Sequence, residues 1–387
     1  MAMSEVELEE AALRDEAVHQ SGLSDWGEDD SWRPGLSRLV EALADAPPPV
    51  RARGKRIVGE LLSKRLELEG DASRHPGILG EKIERPVFVI GLPRTGTTLL
   101  HGLLAEDPAA RSPLEWEVAF PSPPPAAETF TTDPRIARVQ ARYDALLAAM
   151  PELRTMHPFG AALPAECNTI TMLHFASPQF WATLDVPRYT EWLTTTRIPG
   201  VYGTHRRLLQ QLQWKGPKGR WTLKSPAHLF DLEGLLTAYP DACLIQTHRD
   251  PARVMASAAS LVCTLRTPLF GVTDRAATGA SNVRLWGAAI DRGLASRENP
   301  AVNAAVFDVT FAELNGDPMG ALKRIYQRFR LPFTSEFERR AQAYLERNAR
   351  ERQARHSYSA EDFGLDAGRL EKRFAAYRER FELVSER

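Results

Sequence analysis

Residues 87–105 read VFVIGLPRTGTTLLHGLLA: a short apolar run, a loop bounded by Gly91 and Gly96, then a stretch with helical apolar periodicity. Strand, glycine loop and helix in that order build an anion site, because loop amides and the first N–H groups of the helix point into one concavity. Gly96 permits close backbone approach, and Thr97 and Thr98 add hydroxyls. The pattern G-x-x-x-x-G-T-T is a Walker A loop with threonine where the lysine would stand. A nucleoside triphosphatase uses that lysine to reach the β- and γ-phosphates and holds Mg²⁺ with the neighbouring hydroxyl. Here the positive charge sits inside the loop, at Arg94. No apolar strand ending in a Walker B aspartate is evident. The loop is therefore expected to grip one anionic group, with no metal-bound triphosphate.

A second stretch, CLIQTHRDPARVMASAASL (243–261), repeats the strand-to-helix arrangement. Asp250 suits a helix N-cap and Pro251 the first turn. Arg249 is expected at the carboxyl end of the strand, with Ser257 two turns into the helix. Ligands of open α/β sheets sit outside the carboxyl ends of strands. Two such crests, each with an anion clamp, would seat two phosphate groups of one nucleotide. Between them WTLKSPAHL (221–229) ends a third strand candidate at Lys224, facing the same crevice.

The P-R-T-G-T-T loop resembles the 5′-phosphosulfate loop of sulfotransferases that use 3′-phosphoadenosine-5′-phosphosulfate (PAPS). The cytosolic enzymes carry P-K-S-G-T-T there, and the tyrosylprotein sulfotransferases P-R-S-G-T-T. The resemblance covers 85–265 and, more loosely, 300–365, and looks most like the broad bacterial group. It implies transfer of a sulfuryl group from PAPS to a hydroxyl of a small-molecule, lipid or glycan acceptor, without a metal. Arg94, Thr95, Gly96, Thr97 and Thr98 would hold the 5′ side of the nucleotide. The family's Arg-x₇-Ser pattern carries 3′-phosphate binding onto Arg249 and Ser257. In the cytosolic enzymes a K-x-H supplies a lysine and the base histidine; Lys224 matches, but Pro226 takes the histidine's place and His228 comes two residues late. Glu115, 21 residues after Arg94, falls where tyrosylprotein sulfotransferases place a catalytic glutamate, counted through the P-x-x-R stretch Pro108–Arg111. A two-residue register slip would exchange it for Glu117. The base therefore stays open: Glu115 first, His228 second, Glu166 and His356 behind them. The segment 352–365 resembles the H-x-Y-x-x-x-x-F-G-L ending of bacterial relatives, where Arg352, His356 and Tyr358 would close over the nucleotide. Two other classes remain: a P-loop small-molecule kinase or NTPase, and a non-catalytic nucleotide-binding protein of the same fold.

These residues need a scaffold. PVFVIG (86–91), WTLKS (221–225) and ACLIQTHR (242–249) are short buried-strand candidates, each followed by a helical stretch. Strand–helix repetition implies an α/β fold with a central parallel sheet, which the loop and the resemblance make a P-loop three-layer αβα core. Helices are expected over 35–46 and 50–69, through an insert at about 130–215, and twice over 317–350. Residues 1–80 are expected to form a helical N-terminal region packed on the core, with 81–387 the P-loop domain. The basic WKGPKGRW (214–221) precedes the second phosphate motif and is read as a turn into the Lys224 strand.

The 387 residues carry 49 basic and 50 acidic side chains, a net charge of −1, which speaks against a nucleic-acid backbone as main partner. Three cysteines, Cys167, Cys243 and Cys263, lie far from any CxxC or CxxH spacing, so neither a disulfide framework nor a cysteine zinc site is expected. The acidic start, MAMSEVELEE, lacks signal-peptide character, and no run of about 18 apolar residues occurs. A soluble, cytoplasmic protein is the expectation. Phe159, Phe175, Phe180, Trp181 and Trp192 hint at an apolar or ring-bearing acceptor without naming it. Oligomeric state leaves no trace in the sequence.

Overall fold

A computed structural model of the chain describes residues 8–156, 158–351 and 359–384. Five strands form one sheet: β1 (Val87–Gly91), β2 (Ala110–Arg111), β3 (Arg220–Lys224), β4 (Cys243–His248) and β5 (Val306–Thr310). Their order is β2-β3-β1-β4-β5, and every pairing is parallel. From β1 the chain first builds one side of the sheet, then crosses to the other. β1 is therefore the point where strand order reverses, and its carboxyl end lies between those of β3 and β4. Open α/β sheets bind their ligands at such a point.

Alternation along the strands sorts side chains onto two faces. Val87, Val89, Ile245 and Val309 pack with the Thr97–Ala105 helix and with the helices Pro318–Arg328 and Ser335–Glu351. Phe88, Ile90, Leu223 and Leu244 pack with the helices Val201–Gln213, Leu232–Ala238, Pro251–Phe270 and Arg275–Ser296. This is the expected three-layer αβα arrangement around a parallel sheet. No helix among the described residues is long and apolar enough to cross a membrane.

The N-terminal helices Glu10–Ser21, Arg33–Ala44 and Pro48–Arg74 have no core of their own. Their Leu36, Leu39, Leu62 and Leu66 belong to the same apolar cluster as Phe88 and Leu223. Arg65, buried, donates to the Leu173 carbonyl at 2.9 Å and stacks over Trp32, tying this segment to the insert.

β1, β3 and β4 fall where the apolar runs predict them, and the two edge strands were not read from the sequence. β2 is two residues long, below any periodic signal. β5 is only partly buried, as an edge strand is, and its Asp308 breaks the apolar run. Asp308 is occupied there. Arg297 donates to it at 2.5 and 2.7 Å and His248 sits 2.8 Å away, holding its carboxyl well below the usual range against the opposing cost of partial desolvation.

Candidate active site at the carboxyl ends of the strands

The loop after β1 is shaped by three unusual backbone positions. Gly91 has φ +128, and a Cβ there would lie 2.5 Å from the Thr247 carbonyl oxygen. Gly96 has φ +91 and caps the Thr97–Ala105 helix, and a Cβ would press on Leu314 at 2.9 Å. Arg94 also adopts left-handed backbone, φ +67, without being glycine. That conformation costs about 1–3 kcal/mol and persists only where surrounding contacts enforce it. The contacts are visible: Arg94 Nε donates to Ser257 Oγ at 3.0 Å, and its NH1 donates to the Met156 carbonyl at 2.8 Å.

Helix geometry leaves the first N–H groups after Gly96 without intrahelical acceptors, and no side chain caps this end. Thr97 is buried and Thr98 half-buried beside it. Thr95 plays a different part from the one its place in the motif suggests. Its hydroxyl is fully buried, donating to the Leu92 carbonyl and lying 2.6 Å from Thr247 Oγ1. It fastens the loop to β4, so its hydroxyl is engaged within the protein.

Arg249 leaves the end of β4 and reaches back to the loop. Its NH1 donates to the Arg94 carbonyl at 3.2 Å, and its guanidinium lies 4.1 Å over the Phe311 ring. Asp250 caps the next helix by accepting from the Ala252 amide at 3.2 Å. A cation, followed by a capping aspartate, thus occupies the strand end. The two clamps the sequence places 155 residues apart meet directly, since Arg94 touches both Ser257 and Arg249. Phe311 was not singled out from the sequence; its only signal is its place just after an edge strand.

Lys224 ends β3 on the face of the loop helix, 3% exposed and ion-paired with Glu166. Beneath it His101 Nε2 lies 3.1 Å from the Thr222 carbonyl, and burial followed by the Lys224 charge pushes this imidazole down to about 4. Ser225 is bonded to Asn168, two residues after Glu166. The 166–168 and 224–225 segments therefore hold each other at two points.

Glu115 is half-buried at the start of the Glu115–Ala119 helix, and its Oε2 accepts from the Tyr143 hydroxyl at 2.8 Å. Burial, and then the Glu115 charge, push that phenol far above its usual range, so it stays a donor. The segment bearing Glu115 pairs with the segment that leads to Glu166. Glu115 N donates to Leu163 O at 3.0 Å, Leu114 bridges Pro164, and Ala165 N donates to Pro113 O at 2.8 Å. Glu117 is removed from consideration: fully buried, it accepts from Arg111 at 2.6 Å and from the Leu114 amide at 3.0 Å. Burial pushes its carboxyl up to about 6 in spite of the arginine.

His228 does not reach this crevice. The 3-10 turn Pro226–Phe230 carries it to the Phe88 face of the sheet, where it is 1% exposed and edge-on to Phe88 with ring centroids 5.0 Å apart. Burial, and then the neighbouring His205, hold its imidazole well below 6.5. The candidates His356, Arg352 and Tyr358 lie outside the described residues.

Beside Arg94 the wall becomes apolar. Leu147, Met150, Leu153 and Met156 cluster with Phe159, Leu261 and Leu265. Leu261 and Leu265 follow Ser257 by one and two helical turns, so one helix face carries the hydroxyl and then the apolar surface.

Comparison with known proteins bears on family and fold. The profile described as Sulfotransferase family matches residues 86–335. The omega-hydroxy-beta-dihydromenaquinone-9 sulfotransferases Stf3 of Mycobacterium bovis and Mycobacterium tuberculosis are each 28% identical over 256 residues. That match spans 62% of this chain and 62% of theirs. The crystal structure of sulfotransferase STF9 from Mycobacterium avium superposes with TM-score 0.87 at 30% identity, covering 100% of both chains. Sulfotransferase STF1 from Mycobacterium tuberculosis H37Rv gives TM-score 0.83 at 31% identity over 95% of this chain and 98% of its own.

Proposed function

This chain belongs to the sulfotransferase family, and from that premise we propose that it transfers a sulfuryl group from PAPS to a hydroxyl of a small-molecule, lipid or glycan acceptor. The observation that carries the reading is the meeting of Arg94, Ser257 and Arg249 at adjacent strand ends. In this reading Arg249 and Ser257 take the 3′-phosphate. Arg94, the backbone amides of Thr95 and Gly96, and the N-terminal Thr97 and Thr98 cradle the 5′-phosphosulfate.

The migrating group needs positioning and preorganised positive charge more than covalent help. Lys224, held in place by Glu166, stabilises charge that builds on the bridging oxygen as the sulfur–oxygen bond to the 5′-phosphate breaks. The acceptor oxygen forms the new bond to sulfur, and Glu115 takes its proton. Adenosine 3′,5′-bisphosphate leaves with the electron pair of the broken bond. Base assistance of this kind is worth about 10²–10⁴-fold in rate. Glu115 is preferred to Glu166 because Glu166 is already ion-paired with Lys224, so its carboxylate is engaged in holding that lysine.

The acceptor class is supported by the apolar wall beginning at Met156 and continuing through Leu261 and Leu265. It suits an alcohol carried on an aliphatic or isoprenoid chain, and the Stf3 relatives are described as acting on a hydroxylated menaquinone. Three unpaired cysteines support a reducing, cytoplasmic setting.

The test is transfer from PAPS to a panel of aliphatic, isoprenoid, phenolic and glycan alcohols, read by mass spectrometry. A sulfate ester formed together with adenosine 3′,5′-bisphosphate is expected, with the apolar alcohols preferred. Mg²⁺-dependent ATP turnover without any sulfated product would overturn the reading.

A further inference from the structure

Behind the end of β3, on the Phe88 face of the sheet, three metal-ligating side chains from separate elements converge. Cys167 opens the Cys167–Thr171 helix, His205 lies in the Val201–Gln213 helix, and His228 lies in the Pro226–Phe230 turn. None is more than 1% exposed, and their sulfur and ring-nitrogen atoms all lie within 4.8 Å of one another. Each imidazole spends one nitrogen on a tyrosine: His205 Nδ1 is 2.8 Å from the Tyr239 hydroxyl, and His228 Nδ1 is 3.1 Å from that of Tyr202. Both Nε2 atoms are buried without a hydrogen-bond partner.

Two unpartnered ring nitrogens beside a buried thiol are costly in a dry interior. A buried polar atom left unsatisfied costs about 1–3 kcal/mol. A thiol proton shared with one ring would still leave the other bare. Each ring is also fixed through its Nδ1 by a second group, the arrangement that orients metal-binding histidines. Zinc bonds of roughly 2.3 Å to sulfur and 2.0–2.1 Å to nitrogen put ligand atoms about 3.3–3.8 Å apart. Side-chain rotations closing the triangle by about 1 Å reach that spacing. A pocket lined by Tyr202, Ala227, His228 and Asp231 adjoins one of the three side chains.

We propose that Cys167, His205 and His228 bind one transition-metal ion of the class that favours mixed thiolate and imidazole ligands, with Zn²⁺ the preferred ion. Cys167 adjoins Glu166, and His228 follows Lys224 by four residues, so the ion would pin the two segments that carry the Glu166–Lys224 pair. Its role is positional: the ligands lie on the opposite face of the sheet from the loop helix, and none touches the crevice. The sequence spacing gives no sign of this, because the three ligands are 38 and 23 residues apart on different elements.

The experiment uses the full chain, stripped with a chelator, re-equilibrated with Zn²⁺ and passed through a desalting column before elemental analysis. One equivalent of zinc per chain is expected to be retained. Co²⁺ in its place is expected to give the intense visible bands of a low-coordinate site plus a sulfur-to-cobalt charge-transfer absorption. Cys167→Ser should remove the charge-transfer band, and Tyr202→Phe should weaken zinc binding by about 10–100-fold while leaving the cobalt spectrum in place. Loss of all zinc on desalting of the unsubstituted chain, or a cobalt spectrum unchanged in Cys167→Ser, would overturn the site. Binding of adenosine 3′,5′-bisphosphate to the same stripped protein reports on the nucleotide crevice separately, so failure of one reading leaves the other standing.

Discussion

Three residues separate Lys224 from His228, and across them the surroundings invert. Lys224 ends β3 on the face of the loop helix, buried and ion-paired with Glu166, while at the neighbouring strand ends Arg94 meets Arg249 and Ser257. His228 lies among Phe88, Tyr202 and His205, with its ring held neutral. The first region is written in contiguous stretches of chain, since a phosphate loop and a strand-end clamp each need a fixed local spacing. The second is assembled from three distant segments by the packing of helices against a sheet. Motif reasoning therefore finds the first and is blind to the second. A histidine near Lys224 in sequence is not thereby on the same face of the sheet.

The sharpest way to break this contrast is at the base. Glu115→Gln is expected to lower kcat by about 10²–10⁴-fold while leaving the affinity for adenosine 3′,5′-bisphosphate unchanged. Turnover intact in Glu115→Gln but lost in Glu166→Gln would move the proton acceptor to the Lys224 pair. Lys224→Met comes next, with an expected loss of about 10²–10³-fold in kcat and little change in nucleotide binding. A loss confined to KM would instead make Lys224 a ground-state contact. Arg249→Ala should act on binding: losing charged hydrogen bonds worth about 1.5–3 kcal/mol weakens the bisphosphate by roughly 10–150-fold, measured by calorimetry. If Arg249→Ala binds as tightly as the unsubstituted chain, the strand-end clamp does not hold the 3′-phosphate.

What the sequence made legible follows from the same physics. β1, β3 and β4 are central strands buried on both faces, so their apolar runs predict them. β2, with two residues, and β5, with Asp308 turned to Arg297, carry no such run. Arg94, Arg249 and Ser257 were placed together because a motif fixes the direction in which each strand hands its residue to the crevice. Thr95 was given a ligand role by its motif position, whereas its hydroxyl is taken up by Thr247 and the Leu92 carbonyl. The Glu166–Lys224 pair was visible only as two separate candidates, because nothing local links residues 58 apart. His228 was read from chain proximity, and the Pro226–Phe230 turn carries it to the other face.

The smallest expected effect tests whether buried imidazoles, as opposed to the cationic crevice, set the acid limit of stability. His101 and His174 are buried, and burial pushes each down to about 4. A histidine with a depressed folded-state pKa contributes stability that is present above its unfolded pKa of about 6.5 and is lost as pH falls toward 4. Below 6.5 each contributes a slope of up to about 1.4 kcal/mol per pH unit. Between pH 7 and 5.5 the loss is then about 1 kcal/mol per ring, read as a shift of the urea midpoint at constant m-value. His174 lies in the seam between the N-terminal helices and the insert, 2.8 Å from Thr204 Oγ1 and 2.9 Å from the Pro199 carbonyl, away from the crevice. His174→Gln should therefore flatten the pH dependence by about one ring's share and leave bisphosphate affinity at neutral pH untouched. A pH profile identical to that of the unsubstituted chain would mean that His174 does not titrate on unfolding in this range, and the acid limit would pass to other groups.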